Sequence, residues 1–164
     1  MSSDAELASL AKALGDRLRS KRLKLAVAES CTGGWIAKSV TDVAGSSQWF
    51  DRGFVVYSNR AKTDLLGVAA QSLLQFGAVS EQVAGEMAQG ALAHSHGDLA
   101  LAVTGIAGPD GGAADKPVGL VWLATMRRGG QVKTSEHRFT GDRDAVRRQA
   151  VAAGLQRLID EVSR

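Results

Sequence analysis

The sequence predicts an α/β fold: a single three-layer α/β/α domain with a mixed, mostly parallel sheet and a late antiparallel hairpin. Short apolar segments alternate with helical segments through much of the chain, an order typical of parallel strands with helices on both faces. Two strand-like segments near the end flank a glycine turn, which is typical of an antiparallel hairpin. At 164 residues, the chain is expected to form one domain, residues 1–164, with a complete hydrophobic core.

The first elements establish the alternation. Apolar residues at helical spacing predict an amphipathic helix over residues 4–20. An apolar strand is expected at residues 23–28, and a helix at 32–40. Residues 52–57 (RGFVVY) predict the second strand because they are rich in β-branched and aromatic side chains. Ser58 is then expected to cap another helix.

The later elements end in the hairpin. Residues 127–130 (RRGG) form a predicted glycine turn between two alternating segments. The elements expected after the second strand are, in order, a helix from Ser80 and Glu81 to about residue 94, an apolar strand over 99–103, hairpin strands over 118–126 and 131–139, and a final helix from about residue 142.

Composition argues against several functional classes. The net charge of +3 comes from 20 basic and 17 acidic residues, and the basic residues are dispersed. No aromatic residues interleave with them as a stacking platform would require, so no nucleic-acid partner is expected. No stretch approaches the roughly 18 apolar residues of a membrane span, and the first residues lack the pattern of a signal peptide. A cytoplasmic protein without a membrane partner is therefore expected.

Cysteine and histidine usage argues against disulfides and metals. The single cysteine excludes an intrachain disulfide. His94 and His96 are two residues apart, which does not place them on one helix face, and no acidic or cysteine ligand accompanies them. We therefore predict no catalytic metal.

Residues 28–34 (AESCTGG) place Ser30 at a strand-to-helix turn. Such a turn exposes a hydroxyl at the edge of a sheet, and the first N–H groups of the next helix point towards whatever that hydroxyl attacks. Gly33 and Gly34 let a substrate approach the backbone closely. The alternatives are that Ser30 only caps the helix, or that Cys31 is the nucleophile, although a lone cysteine beside an apolar strand is usually inert core.

A base for Ser30 is suggested by residues 57–62 (YSNRAK). Lys62 can take this role only if it is neutral, which requires burial or neighbouring cations to depress its pKa. Tyr57 is a candidate for relaying the proton or orienting the lysine, because its hydroxyl both donates and accepts hydrogen bonds. The alternative is a solvated helix lysine beside a tyrosine at a strand end.

A ligand-binding loop is suggested by residues 104–112 (TGIAGPDGG), which directly follow an apolar strand. Open α/β sheets bind ligands beyond the carboxyl ends of their strands. The segment lacks the Lys-Ser/Thr of a P-loop and does not match G-x-G-x-x-G, so no standard nucleotide motif is present. A flexible surface loop is the alternative.

Residues 141–148 (GDRDAVRR) place Arg143 and Arg147 on one face near the start of the last helix. Clustered guanidinium groups at the positive end of a helix suit a phosphate. Alternatively, Asp142 and Asp144 cap the helix while the arginines pair with solvent or acidic neighbours.

Together these motifs resemble one family, the stand-alone form of the CinA C-terminal domain, whose characterised members are bacterial nicotinamide-nucleotide amidases. The resemblance extends over nearly the whole chain. The blocks that carry it are residues 28–34, 53–59 with Lys62, 77–80, 104–112, 116–119, and 141–143 with Arg147.

The resemblance implies hydrolysis of the carboxamide of nicotinamide mononucleotide to nicotinate mononucleotide and ammonia, a step in pyridine nucleotide recycling, without a cofactor. By motif, Ser30 is the expected nucleophile, Lys62 its base and Tyr57 a helper in proton transfer. An arginine of the last block is expected to assist. We place Arg147 in the catalytic set and Arg143 with the substrate-binding residues, with the choice between them open.

The remaining expectations concern the substrate. Amides of the turn at residues 32–34 are expected to hold the oxyanion, and the glycine-rich loop and the arginines to hold the ribose and phosphate. The substrate-binding set is Thr32, Gly33, Gly34, Thr104, Gly105, Gly108 and Arg143.

Two other functions fit the same sequence. One is a non-catalytic nucleotide-binding or regulatory module of the same family, and the other is an amidase for another small nucleotide amide. An unshifted pKa for Lys62 would favour the binding module, because a module that only binds has no use for a perturbed lysine. A homo-oligomer is expected because most oligomeric proteins are symmetric assemblies of one chain.

Overall fold

The computed structural model describes residues 2–164, which form strands and helices in the predicted alternation. A 3₁₀ turn at Ser46–Gln48 precedes the second strand. The elements are α1 (Asp4–Ser20), β1 (Leu25–Glu29), α2 (Trp35–Thr41), β2 (Phe50–Val55), α3 (Asn59–Leu66), α4 (Ala70–Phe76), α5 (Glu81–Ala93), β3 (Leu99–Gly105), β4 (Leu120–Arg127), β5 (Lys133–Arg138) and α6 (Arg143–Ser163).

The five strands form one mixed sheet in the order β2-β1-β3-β4-β5. β1 pairs in parallel with both β2 and β3, whereas β4 pairs antiparallel with β3 and β5. Four strands therefore run in one direction and only β4 opposes them, which confirms the mixed, mostly parallel sheet and its late hairpin. Glu29, the last residue of β1, lies beside Val55 of β2 and Val103 of β3, so the three strands end at one edge.

Helices cover both faces of the sheet. One apolar cluster joins α1, α2 and α6 to the first face and includes Leu14, Leu101 and Leu155. A second cluster joins α3 and α5 to the opposite face and includes Met87. The three-layer arrangement is confirmed. The sheet is its middle layer, and the β1 strand in that layer is buried along its full length.

Two local differences from the sequence prediction have physical causes. The helix predicted from residue 32 begins only at Trp35, because Gly33 and Gly34 adopt positive φ angles of 60° and 96° and extend the turn. Helix α4 was not predicted, because none of its residues is buried and Leu74 is 82% exposed, so no apolar face marks it in the sequence. Within residues 2–164, no helix has the length and apolar character that crossing a membrane requires.

Candidate active site

The predicted site residues at or just after the ends of β1, β2 and β3 meet at the carboxyl edge of the sheet. They surround a cavity of about 170 Å³ between the sheet and the start of α6. This is where open α/β sheets bind ligands. Six of the predicted residues line it: Ser30, Tyr57, Lys62, Thr104, Gly105 and Arg143.

Ser30 and Lys62 are in direct contact in this cavity. Ser30 follows β1 immediately, and Lys62 is the fourth residue of α3, whose cap Ser58 accepts a hydrogen bond from the Ala61 N–H. The Nζ of Lys62 lies 3.0 Å from the Oγ of Ser30. The pairing expected of a serine nucleophile and a lysine base is therefore present.

Lys62 is almost completely buried, with 1% of its surface exposed. Its Nζ also donates to the carbonyls of Val56 (2.9 Å) and Tyr57 (3.0 Å). All three of these partners are neutral oxygens. Burial lowers the pKa of the Lys62 ammonium below its ordinary value, because transfer out of water penalises the charged form. Lys62 is thus not the solvated helix lysine of the alternative interpretation.

Tyr57 and Arg143 meet at the mouth of the cavity. Tyr57 is 62% exposed, and its hydroxyl accepts a hydrogen bond from the Arg143 Nη2 at 3.2 Å. The Nη1 of Arg143 donates to the carbonyl of Gly108 at 2.7 Å. Arg143 therefore connects Tyr57, just after β2, to the glycine-rich loop above Ser30. Gly108 takes part in this connection only by accepting a hydrogen bond at its backbone carbonyl.

Arg147 lies on the other side of the turn at residues 30–34. Its Nε donates to the carbonyl of Cys31 (3.0 Å) and its Nη2 to that of Thr32 (3.1 Å). With Thr32, Gly33 and Gly34 it lines a second cavity of about 500 Å³. The structure thus divides ten of the eleven predicted residues between two cavities that flank the turn, and Gly108 lines neither of them.

Two other predicted site residues have structural hydrogen bonds. The hydroxyl of Thr32, a fully buried residue, donates to Glu29, and that of Thr104 donates to the carbonyl of Ala78. The Gly33 N–H donates to the carbonyl of Ser30 at 3.1 Å. Gly33 is consequently not available as an oxyanion donor in this conformation, contrary to the expectation for the whole turn.

Cys31 is also at the cavity, but it is unsuited to nucleophilic attack. Burial raises the pKa of its thiol to about 11, and the thiolate is the reactive form of cysteine. At neutral pH Cys31 is therefore a protonated thiol beside Ser30, in agreement with its interpretation as core.

Comparison with known proteins identifies the family. The profile of the CinA C-terminal domain matches residues 7–162. The chain belongs to the CinA C-terminal domain family. This confirms the family recognised in the motifs of the sequence.

CinA-domain relatives with similar lengths carry a functional name. "Nicotinamide-nucleotide amidohydrolase PncC" of Escherichia coli (strain K12) is 54% identical over 155 residues, which cover 94% of each chain. The protein of the same name from Pseudomonas putida is 50% identical over 153 residues, covering 93% of this chain and 95% of that one. A crystal structure of "competence/damage inducible protein CihA" from Agrobacterium tumefaciens superposes with a TM-score of 0.94 at 48% identity, covering 97% and 96% of the two chains.

Sequence reasoning missed some residues of the CinA-domain site. Asn59, Ala78 and Val79 line the cavity with Ser30, and Glu29 supports the turn from within the protein. Glu29 carried a recognisable signal, because it is a carboxylate at the end of an otherwise apolar strand, LAVAE. Ala78 and Val79 lie in the block 77–80 that carries the family resemblance, but small apolar residues have no side-chain chemistry that marks them as site residues.

Proposed function

We propose that this protein hydrolyses the carboxamide of nicotinamide mononucleotide to nicotinate mononucleotide and ammonia, with Ser30 as the nucleophile and Lys62 as its base. The contact between the Lys62 Nζ and the Ser30 Oγ at 3.0 Å carries the proposal. The substrate is supported by the name of the relatives, nicotinamide-nucleotide amidohydrolase, at 54% and 50% identity.

The hydrogen bonds of Lys62 suit a neutral amine. A neutral amine has two N–H groups and one lone pair, whereas an ammonium has three N–H groups and none. The carbonyls of Val56 and Tyr57 accept the two N–H groups. The lone pair is then left for the hydroxyl proton of Ser30, which is the orientation that a general base needs.

The reaction follows in two stages. Ser30 Oγ attacks the carboxamide carbon while its proton passes to Lys62, and the tetrahedral intermediate forms. Lys62 returns that proton to the amide nitrogen, the C–N bond breaks, and ammonia leaves an ester on Ser30. Water then attacks the ester as Lys62 takes its proton, and the serine departs with that proton to release the nicotinate product.

The oxyanion needs donors near Ser30. Because the Gly33 N–H is already bonded to the carbonyl of Ser30, the donors that remain of those expected in the turn are the backbone N–H groups of Thr32 and Gly34. A well-aimed donor of this kind typically contributes about 3 kcal/mol to stabilising the transition state.

The substrate extends from the cavity to its mouth. A volume of about 170 Å³ is small beside the roughly 300–1,000 Å³ of pockets that enclose a drug-sized ligand. The carboxamide and its ring therefore occupy the cavity, and the ribose phosphate lies outside it. Arg143 is at the mouth, where among residues 2–164 it is bonded only to a carbonyl and a phenol, and it is the group that we assign to the phosphate.

Tyr57 and Arg147 assist in different ways. The Tyr57 hydroxyl stands at the mouth, where it can relay a proton between Lys62 and the departing ammonia through water. Arg147 assists through the turn, because its guanidinium bonds the carbonyls of the two residues after Ser30.

Ammonia release from nicotinamide mononucleotide by the purified protein, without added metal, tests the proposal. We expect Ser30→Ala and Lys62→Ala each to abolish release, while the exposed controls Ser47→Ala and Lys12→Ala retain it. Undiminished release by either site variant would contradict the mechanism. Binding of the mononucleotide without release by the unmodified protein would instead support the nucleotide-binding module.

A further inference from the structure

Glu29 is a buried carboxylate that directly precedes the nucleophile. It is 1% exposed. Its Oε1 accepts hydrogen bonds from the Thr32 hydroxyl (2.7 Å) and the Ile36 N–H (2.9 Å), and its Oε2 accepts one from the Ala37 N–H (2.9 Å). A buried carboxylate is tolerated only where donors satisfy it, and here every donor comes from the turn or helix that follows Ser30.

These bonds replace the cap that α2 lacks. The N-cap residue of α2 is Gly34, which has no side chain to accept from the first N–H groups of the helix. Glu29 reaches across the turn and accepts from the second and third residues of α2. An ionised carboxylate at the N-terminus of a helix also interacts favourably with the helix dipole.

Arg147 holds the same turn from the opposite side. It donates to the carbonyls of Cys31 and Thr32, and its guanidinium carbon lies 5.4 Å from the centre of the Trp35 ring. Glu29 thus binds donors of the turn and Arg147 binds its acceptors. Thr32 is bonded by both, through its hydroxyl and its carbonyl respectively.

We infer that Glu29 and Arg147 are positioning residues that fix the nucleophile turn, residues 30–34, so that Ser30 Oγ stays within reach of Lys62. The inference rests on the proposed function. Neither side chain lines the cavity that contains Ser30 and Lys62, so each acts through the turn. Misplacement of a reacting group by about 1 Å can cost on the order of 100-fold in rate.

The experiment compares kcat and KM for nicotinamide mononucleotide in Glu29→Gln, Arg147→Lys and the double variant. Gln keeps one acceptor oxygen, and Lys keeps the charge but not the two-pronged contact. We expect kcat to fall by about 10- to 100-fold in each single variant, with KM changed less than about threefold. The fold-decrease in kcat of the double variant should be smaller than the product of the two single fold-decreases, because both residues hold the same turn.

Glu86→Gln is the matched control. Glu86 accepts from the Ala69 N–H and the Ser72 hydroxyl at the start of α4, one amide and one hydroxyl where Glu29 has two amides and one hydroxyl, and it lies outside the site. We expect this variant to lower thermal stability while leaving kcat unchanged. Equal kcat in Glu29→Gln and Glu86→Gln, or a loss confined to KM, would overturn the inference.

Ser30→Ala in the same assay separates the two proposals. If Ser30→Ala is inactive while Glu29→Gln and Arg147→Lys keep full kcat, only the positioning role is overturned. If Ser30→Ala keeps its activity, the serine mechanism is wrong and the positioning role is overturned with it. Because Gln and Lys preserve most of the size of the native side chains, both variants are expected to fold, and a thermal unfolding curve checks this for each.

Discussion

Lys62 and Ser30 lie 32 positions apart in the sequence and 3.0 Å apart in the structure, Nζ to Oγ. Ser30 follows the interior strand β1, and Lys62 follows the neighbouring edge strand β2 on the first turns of α3. The parallel register that places Glu29 beside Val55 brings the ends of these strands level. The contact therefore depends on the pairing of β1 with β2 as well as on the local turns that carry each residue.

The lowered pKa of Lys62 predicts the pH dependence of the reaction. Because the lysine acts as a base only when neutral, kcat/KM should rise with pH through its pKa. Since burial lowers that pKa, the rise should lie below the ordinary lysine value of about 10.4. Ammonia release measured across the pH range checks this. A rise centred at the ordinary lysine value would contradict it, and Lys12→Ala, an exposed control, should leave the profile unchanged.

Arg143→Ala should weaken recognition of the phosphate. Hydrogen bonds to charged groups contribute about 1.5–3 kcal/mol, so we expect kcat/KM for nicotinamide mononucleotide to fall by about 10- to 100-fold. Nicotinamide riboside, which lacks the phosphate, should be hydrolysed equally by the variant and the unmodified protein. Steady-state kinetics with both substrates make the comparison. Arg138→Ala, on the exposed edge strand β5, is the control. Equal decreases in kcat/KM of Arg143→Ala for the two substrates would argue against a phosphate contact.

Cys31→Ala should retain the activity. Burial raises the pKa of the Cys31 thiol to about 11, so at neutral pH almost no thiolate is present to attack or to be alkylated. Iodoacetamide should leave the native protein active and modify Cys31 only after unfolding, which mass spectrometry can follow. Complete inactivation of the Cys31→Ala variant, with its fold intact, would instead make the cysteine the nucleophile.

Gly90→Ala should separate α3 from α5. A Cβ atom at Gly90 would lie 2.0 Å from the carbonyl oxygen of Leu66, so the helix that carries Lys62 must move. We expect the free energy of unfolding to fall by about 3 kcal/mol, with a lower kcat in the folded fraction. Urea unfolding measures the first effect.

Gly129→Ala is the control for Gly90→Ala. A Cβ atom there has no neighbour within 4 Å, and only the positive φ of 76° resists it. The free energy of unfolding of this variant should fall by about 1–2 kcal/mol, which is the penalty of a left-handed conformation for a residue with a side chain. A smaller loss of stability in Gly90→Ala than in Gly129→Ala would show that α3 and α5 accommodate the extra atom.

Much of the fold could be predicted because its signals are periodic. Leu7, Leu14 and Leu18 repeat at helical spacing and are buried in α1, while the apolar residues of β1 and β3 form continuous runs in a sheet covered on both faces. Helix α4 escaped prediction because it lies on the surface, and burial is what creates such a pattern.

The gathering of Ser30, Tyr57 and Lys62 could also be predicted, because the carboxyl ends of parallel strands meet at one edge. The placement of Arg143 and Arg147 at two different cavities could not be predicted. Residues at i and i+4 share a helix face, but they lie one turn apart along the axis. Here that turn separates the mouth of one cavity from the far side of the nucleophile turn, a distinction that only the packing of α6 determines.

The two carbonyls that accept from Lys62 belong to residues 56 and 57, and the lysine itself follows five positions later. Seven consecutive residues therefore contain the amine, its polar acceptors, and Ser58, the cap that starts the helix carrying it. Because this segment itself contains the two carbonyls that accept from the lysine, the rest of the protein has only to bury the amine among apolar groups to favour its neutral form. Residues 56–62 thus supply both carbonyl acceptors of the Lys62 amine and the cap of its helix, and the rest of the protein supplies the burial and Ser30.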